Sequence, residues 1–258
     1  MKKAAIVWPH VAGVFGLILA CLASGQSWAG QTVVPQFDTY YNTPLRNVLC
    51  QAGHLVTLYD NGYLQSCTVP DGNQLLGKTG ISSAQFYSCS AAQPVELYAD
   101  GYLNQCVLKE NILVAGHNGP SGGSFYLCKA GNPVQINADG YLNHCVLMAD
   151  IQVAGRNGPS GGALYSCKAG NPVQINADGY LASCTLIVPM NIAGRYGSNT
   201  VLQYTCKEDA SMEIRSDGYL SSCTLRNPNW VQSRNGMKAC DAGSVIYIDS
   251  SGTGSCSN

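Results

Sequence analysis

Basic side chains recur at one position of the sequence, 11 residues after the second cysteine of each pair. Tyrosines recur in the same register, one residue after an Asp-Gly pair. A repeated cation and a repeated ring that can stack on a sugar together predict a row of equivalent binding sites. The structural alternative is that the bases pair with neighbouring turns and the tyrosines pack between repeats. The predicted ligand-binding residues are Lys78, His117, Arg156, Arg195, Arg234, Tyr102, Tyr141, Tyr180 and Tyr219.

The tyrosines belong to a short segment, NADGYL, that occurs at residues 137–142 and again at 176–181. Asp-Gly and Asn-Gly pairs are favoured where both central residues of a hairpin turn need positive φ, so the segment predicts a type I′ turn. A calcium loop needs oxygen ligands at alternating positions. The residue two before the Asp or Asn is not a constant ligand, because it is Tyr59, Tyr98, Asn137, Asn176 and Arg215 in successive repeats. The sequence therefore predicts a turn and no metal site.

Catalytic and cofactor motifs find little support. The cysteines form no CxxC pair, and no histidine recurs beside them. The segment Gly119 to Gly123 matches the GxSxG pattern of serine hydrolases only formally, because no strand-turn-helix surrounds it. Nearly identical repeats leave no position specialised for chemistry. We therefore expect no enzyme, no catalytic residue and no cofactor.

The cysteines define the repeat. Thirteen occur in the 258 residues, and their separations alternate between 17 and 22 over most of the chain, a period of 39 residues. Pairing within a repeat is favoured, because the shorter spacing persists near the C-terminus while the longer one shrinks. Each bridge would contribute roughly 3 kcal/mol by limiting the unfolded chain. Beyond Cys21, the predicted disulfide cysteines are Cys50, Cys67, Cys89, Cys106, Cys128, Cys145, Cys167, Cys184, Cys206, Cys223, Cys240 and Cys256.

Each repeat contains four short β-type runs and no amphipathic helix, which predicts an all-β fold of six disulfide-bearing repeats. The repeats are placed at about 48–86, 87–125, 126–164, 165–203, 204–237 and 238–258. The sequence favours a six-bladed propeller-like ring, because residues 31–37 could supply the strand that the last repeat lacks. In a flat meander, however, the first and third runs would be too far apart for a disulfide. The alternative is an open array or solenoid of hairpin modules.

The N-terminal residues 1–29 are typical of a secretory signal peptide with cleavage after Ala29, leaving one six-repeat domain at 30–258. A lipobox ending at Cys21 offers the alternative of a lipoprotein. Loss of Lys2 and Lys3 would leave 12 basic against 15 acidic side chains, so no nucleic-acid partner is expected. No transmembrane segment is expected after the signal. The sequence thus predicts a secreted or cell-surface protein, either lectin-like or adhesive with a glycan or protein partner, or a self-associating structural protein of an envelope, matrix or filament.

Overall fold

The computed structural model describes residues 30–257 apart from 81, 120–121, 159–160 and 197–199. The predicted signal peptide lies outside the described residues. Thirteen strands form one antiparallel sheet, in the order β1 (Thr32–Val33), β4 (Val56–Leu58), β5 (Leu64–Thr68), β8 (Pro94–Leu97), β9 (Leu103–Val107), β12 (Pro133–Ile136), β13 (Leu142–Val146), β16 (Pro172–Ile175), β17 (Leu181–Thr185), β20 (Ser211–Ile214), β21 (Leu220–Thr224), β24 (Val245–Ile248) and β25 (Gly254–Ser257).

Twelve further strands pair into separate hairpins, which we number 1 to 6 along the chain. They are β2 (Thr39–Asn42) with β3 (Asn47–Cys50), β6 (Gln74–Lys78) with β7 (Ala84–Ser88), β10 (Ile112–His117) with β11 (Gly123–Cys128), β14 (Ile151–Arg156) with β15 (Gly162–Cys167), β18 (Met190–Tyr196) with β19 (Thr200–Cys206), and β22 (Asn229–Ser233) with β23 (Gly236–Cys240). The turns of the large sheet, from β4–β5 to β24–β25, are numbered 1 to 6 in the same way. The predicted all-β repeat fold is confirmed, with four strands in each of the first five repeats and three in the last.

Alternation of side chains gives the large sheet a buried face and an outer face. On β12, Val134 and Ile136 are fully buried while Gln135 between them is not. The strand register keeps this alternation aligned, so that Gln135 lies opposite Gln105 on one side and His144 on the other. The same register continues across the sheet from Thr57 to Ser255. The outer face therefore has a row of side chains, one from each strand, that are polar on nearly every strand.

The six hairpins cover the buried face of the sheet. Each is tied to it by a disulfide that joins the end of the hairpin to a sheet strand, with Cα atoms 5.7 to 5.9 Å apart. The bridges are Cys50–Cys67, Cys89–Cys106, Cys128–Cys145, Cys167–Cys184, Cys206–Cys223 and Cys240–Cys256. Pairing within a repeat is confirmed. The first run of a repeat lies in the hairpin layer and the third in the sheet, so the bridge crosses the core instead of spanning an intervening strand.

Buried tyrosines fill the space between the layers. Tyr126 and Tyr165, in hairpins 3 and 4, have no exposed surface. Each ring packs on a glycine of the neighbouring strand, Gly116 or Gly155, where a Cβ atom would lie 2.4 Å from a ring carbon. Burial raises the pKa of both phenols, because the phenolate would lose its hydration. These glycines are therefore required for packing.

The sheet turns differ from the predicted type I′ geometry. In turn 3, the amide of Gly140 donates to the carbonyl of Asn137, and the amide of Asn137 donates to that of Tyr141. Gly140 has φ +88°, whereas Asp139 is not in the positive-φ region. This is a three-residue loop, a type I turn followed by a glycine bulge. The type I′ prediction was wrong because the carboxylate of Asp139 accepts the amide of Tyr141 at 3.2 Å, which fixes Asp139 in an ordinary conformation.

The sheet is open, so the open array describes the protein and the favoured ring does not. Residues 31–37 were expected to complete the last repeat. Within the described residues, their strand β1 instead pairs with β4 of the first repeat, and β25 pairs with β24 alone. Pairing with the nearest edge closes a much shorter loop than pairing with the far end of the chain.

The tyrosine–glycine packing predicts a strong position effect within one hairpin. Gly155→Ala should lower the free energy of unfolding by roughly 1–3 kcal/mol, because its methyl group would overlap the ring of Tyr165. Gly162→Ala in the same hairpin is the control, since nothing lies within 4 Å of its added Cβ. Urea unfolding curves would measure both. Equal curves for the two variants would contradict this account of the core.

The half-buried His144 predicts a pH dependence of stability. Burial lowers its pKa below 6.5, because the imidazolium is poorly hydrated there. As pH falls, the unfolded chain therefore binds a proton at His144 before the folded chain does. The stability that neutral His144 contributes to the folded state is complete above the unfolded pKa and is lost as pH falls below it. Between about pH 7.5 and about pH 5, the free energy of unfolding measured in urea should fall less for His144→Gln than for the natural chain. Equal losses would show that His144 does not contribute.

Candidate functional site

The basic residues lie where the first strand of each hairpin ends, above the turns of the large sheet. In hairpins 3 and 4, the buried Tyr126 and Tyr165 donate hydrogen bonds of 2.8 Å to the carbonyls of His117 and Arg156. The core tyrosine therefore holds the backbone that carries the base. This placement brings the side chain of each base over the turn with the same number as its hairpin.

Four bases contact the Asp and the Tyr of that turn. Arg156, for example, lies 3.0 Å from Asp178, and its guanidinium carbon is 4.7 Å from the centre of the Tyr180 ring. The other base–carboxylate distances are 2.6 Å for Lys78–Asp100, 3.5 Å for His117–Asp139 and 3.6 Å for Arg195–Asp217. The distances from the base to the centre of the tyrosine ring are 5.0 Å for the Lys78 ammonium to Tyr102, 3.7 Å for the His117 ring to Tyr141, and 4.9 Å for the Arg195 guanidinium carbon to Tyr219.

The carboxylate has two tasks in each of these clusters. One oxygen of Asp178 accepts the amide of Tyr180, which fixes the turn, and the other faces Arg156. The ion pair is partly exposed, with 37% and 36% of the two side chains accessible, so it contributes little to stability. Its main consequence is electrostatic, because each base is paired with a carboxylate; at Asp217 a second base, Arg215, lies 3.2 Å away as well.

Arg234 departs from the pattern. It is exposed, and it takes part in no ion pair or hydrogen bond with the described residues. Turn 6 has Ser251 and Thr253 where the earlier turns have Asp and Tyr, so the two partners of the base are missing. The nine predicted residues thus divide into four base–tyrosine clusters and one unpaired base.

Open clefts lie beside two of the clusters. One, of about 480 Å³, is lined by Tyr141 and Phe125, with Gly116 and Gly123 among its other lining residues. The other, of about 320 Å³, is lined one repeat later by Tyr180, Leu164, Gly155 and Gly162, among others. Gly123 and Gly162 leave the backbone accessible, because nothing lies within 4 Å of a Cβ added at either position, while the tyrosine ring forms a wall. Tyr219, by contrast, is only 8% exposed and is buried under Arg195.

Residues that the sequence analysis did not select join neighbouring hairpins. Asn118 and Asn157 accept hydrogen bonds from the amides of Ala154 and Ala193, one repeat ahead, at 2.5 and 2.7 Å. Both belong to an asparagine-glycine pair that recurs with the repeat, which was the available signal. Arg215 donates to the carbonyl of Ile248 at 2.8 Å and so links turn 5 to the next repeat. These bonds hold the clefts in register.

Metal-ligand groups and membrane-spanning helices are absent from the described residues. No group of three or more His, Cys, Asp or Glu side chains is arranged there to hold a metal ion. Nor does any helix in those residues have the length and apolar character needed to cross a membrane. No protein-family model, curated protein or solved structure matches the chain. Functional inference therefore depends on the clusters and clefts themselves.

Proposed function

We propose that the protein is an exported, non-catalytic, multivalent binding protein that holds an extended neutral polysaccharide along its hairpin layer, at or outside the cell surface. The observation that carries this proposal is the recurrence of one cleft, with its tyrosine wall and small-residue lining, in successive repeats. Two such clefts one repeat apart suit a ligand that itself repeats.

The chemistry of the cleft favours a sugar. A pyranose ring has an apolar face of C–H groups that can lie on a tyrosine ring, and hydroxyls that can bind the polar rim. In the second cleft, Gly162 would let the sugar approach the backbone beside Tyr180, because nothing lies within 4 Å of a Cβ added there. The adjacent Arg156 is already balanced by Asp178, which favours a neutral chain over a polyanion.

The spacing of the clefts supports a polymer over a single sugar. One repeat adds two strands to the sheet, so equivalent positions are about 9.6 Å apart along it. An extended β-1,4-linked disaccharide is similar in length. Shallow clefts of this kind bind one unit weakly, but several units on one chain bind together with a high effective concentration.

The disulfides support action outside the cytosol. All twelve cysteines of residues 50–256 are paired. Bridges in this number are typical of an oxidising extracellular environment and rare in the cytosol. Export and a surface location are therefore part of the proposal, with either free secretion or attachment through Cys21 as the route.

A structural role in an envelope, matrix or filament is the second candidate. The observation that favours it is the long open sheet, whose thirteen strands extend over roughly 58 Å at the usual strand spacing. A disulfide ties the sheet to its covering hairpin in every repeat. Such an array is stiff and could act as a spacer without binding any sugar.

The cleft tyrosines provide the first test of sugar binding. Glycan-array screening would identify the ligand, and Tyr141→Ala with Tyr180→Ala should then weaken binding at least about tenfold, because stacking at two clefts is lost together. Tyr40→Ala is the control, since Tyr40 is an exposed tyrosine outside both clefts. Titration calorimetry would measure the affinities. Binding to no glycan, or equal losses in both variants, would exclude the proposed site.

The bases provide a second test. Arg156→Ser with Arg195→Ser should weaken binding several-fold, while each change shifts stability by roughly 0–1 kcal/mol because the ion pairs are partly exposed. Gly140→Val should instead destabilise its repeat, since Gly140 has φ +88° and an added Cβ would lie 2.5 Å from that of Lys78. If the arginine variant unfolds as readily as the glycine variant in urea, the bases hold the repeats together and do not serve binding.

A further inference from the structure

The two ends of the large sheet are complementary in backbone register. We call the contact between two neighbouring repeats within the sheet an interior joint. In an interior joint, Cys67 lies opposite Val95 and Ser66 opposite Glu96. By the 39-residue period, Val56 and Thr57 of β4 correspond to Val95 and Glu96. The outer edge of β4 thus has the register that, in an interior joint, pairs with the strand carrying the second cysteine of the preceding repeat.

A strand of that type is the last of the sheet at the opposite end, where the ammonium of Lys238 donates to the carbonyl of Cys256 at 3.2 Å. Cys256 and Ser255 of β25 correspond to Cys67 and Ser66, and within the described residues the outer edge of β25 has no paired strand. An unpaired strand edge is a template for pairing with another chain. Strand β25 of one molecule and β4 of another therefore have the register of a normal interior joint.

The short strand β1 occupies the place of this missing neighbour. Val33 pairs with Val56 and Thr32 with Thr57, the same positions that β25 would fill. Only these two residues form the strand, and both are exposed. Strand β25 is longer, because its four residues extend from Gly254 to Ser257. An interior joint pairs three residues on each strand, so β25 could form three pairs where β1 forms two. It would also displace the carbonyls of Gln31 and Pro35, which accept the amides of Leu58 and Gly53.

The side chains at the two ends are complementary as well. Within the chain, the bases also reach the turn one ahead: Lys78 donates to the carbonyl of Ala138, and Arg195 to that of Ser250, each at 3.0 Å. For Arg234, the corresponding residue lies in turn 1 of a following molecule and is Asp60. Asp60 is exposed and has no hydrogen bond or ion pair through its side chain among the described residues.

Space for such a turn exists beside Arg234. An open cavity of about 440 Å³ at this end of the array is lined by Arg234, Asp249 and Ser255, among others. The unpaired base, the edge of the last strand and the cavity thus lie together at one end.

We propose that the protein self-associates end to end, with β25 of one molecule pairing with β4 of the next in place of β1, and Arg234 contacting Asp60. The two surfaces are different, so the contact is head-to-tail and produces linear chains instead of closed dimers. This inference does not depend on sugar binding. Each added molecule would continue the sheet in the register of its interior joints.

Sedimentation velocity and negative-stain microscopy of the full mature chain, without any glycan, would test the proposal. The natural chain should form linear oligomers that lengthen with concentration. Val33→Asp should strengthen association about tenfold, because it weakens the docking of β1 and exposes the edge of β4. A natural chain and a Val33→Asp variant that both stay monomeric up to their solubility limit, or stop at dimers, would overturn it.

A charge exchange provides the matched control. Arg234→Glu should weaken association about tenfold, since the contact with Asp60 becomes repulsive. The double variant Arg234→Glu with Asp60→Arg should recover most of the loss. Both positions are exposed, so circular dichroism should show an unchanged fold. Failure of the double variant to recover association, with the fold intact, would show that these residues do not meet.

Discussion

The whole architecture depends on holding a two-stranded hairpin against a sheet in every repeat. The apolar surface that a single repeat buries is too small to stabilise this contact by itself. The disulfide between the layers supplies this constraint, and it joins the same two positions in all six repeats. A buried tyrosine on a glycine then sets how closely the layers approach. In hairpins 3 and 4 that tyrosine also donates to the backbone carbonyl of the base, so there the position of the base follows from the core.

Much of this could be read from the sequence, because local spacing determines it. The separation of 17 residues placed both cysteines of a bridge correctly, and the hydrophobic runs located the four strands of each repeat. The turn type could not be read, because Asp-Gly suits two loop lengths and the hydrogen bond that the amide of Tyr141 donates to Asp139 decides between them. Ring closure depends on the curvature accumulated over all repeats, and that quantity has no signature at any single position.

The candidate site shows a similar division. Recurrence of the bases and tyrosines was visible in the sequence, but their mutual contact was not, since Lys78 and Asp100 lie 22 residues apart. Pairing within the chain gives each base a structural reason to recur, so recurrence by itself is weak support for binding. The clefts are lined partly by glycines, which the sequence analysis did not select as binding residues. Their lining by Gly116 and Gly123 appears once two strands of a hairpin are brought together.

In an array whose repeats all pair through the same two strand edges, one edge of each type is left without a neighbouring repeat at the two ends. Here one edge is covered by two residues of β1 and the other, at β25, has no covering strand in the described residues. In a head-to-tail contact, the distance between equivalent clefts would be the same across the junction as within one molecule, because the contact uses the register of the interior joints. A polysaccharide bound along one molecule could then continue onto the next and raise the effective concentration of the two ends. Sugar binding and self-association would in that case reinforce each other, although each depends on separate residues.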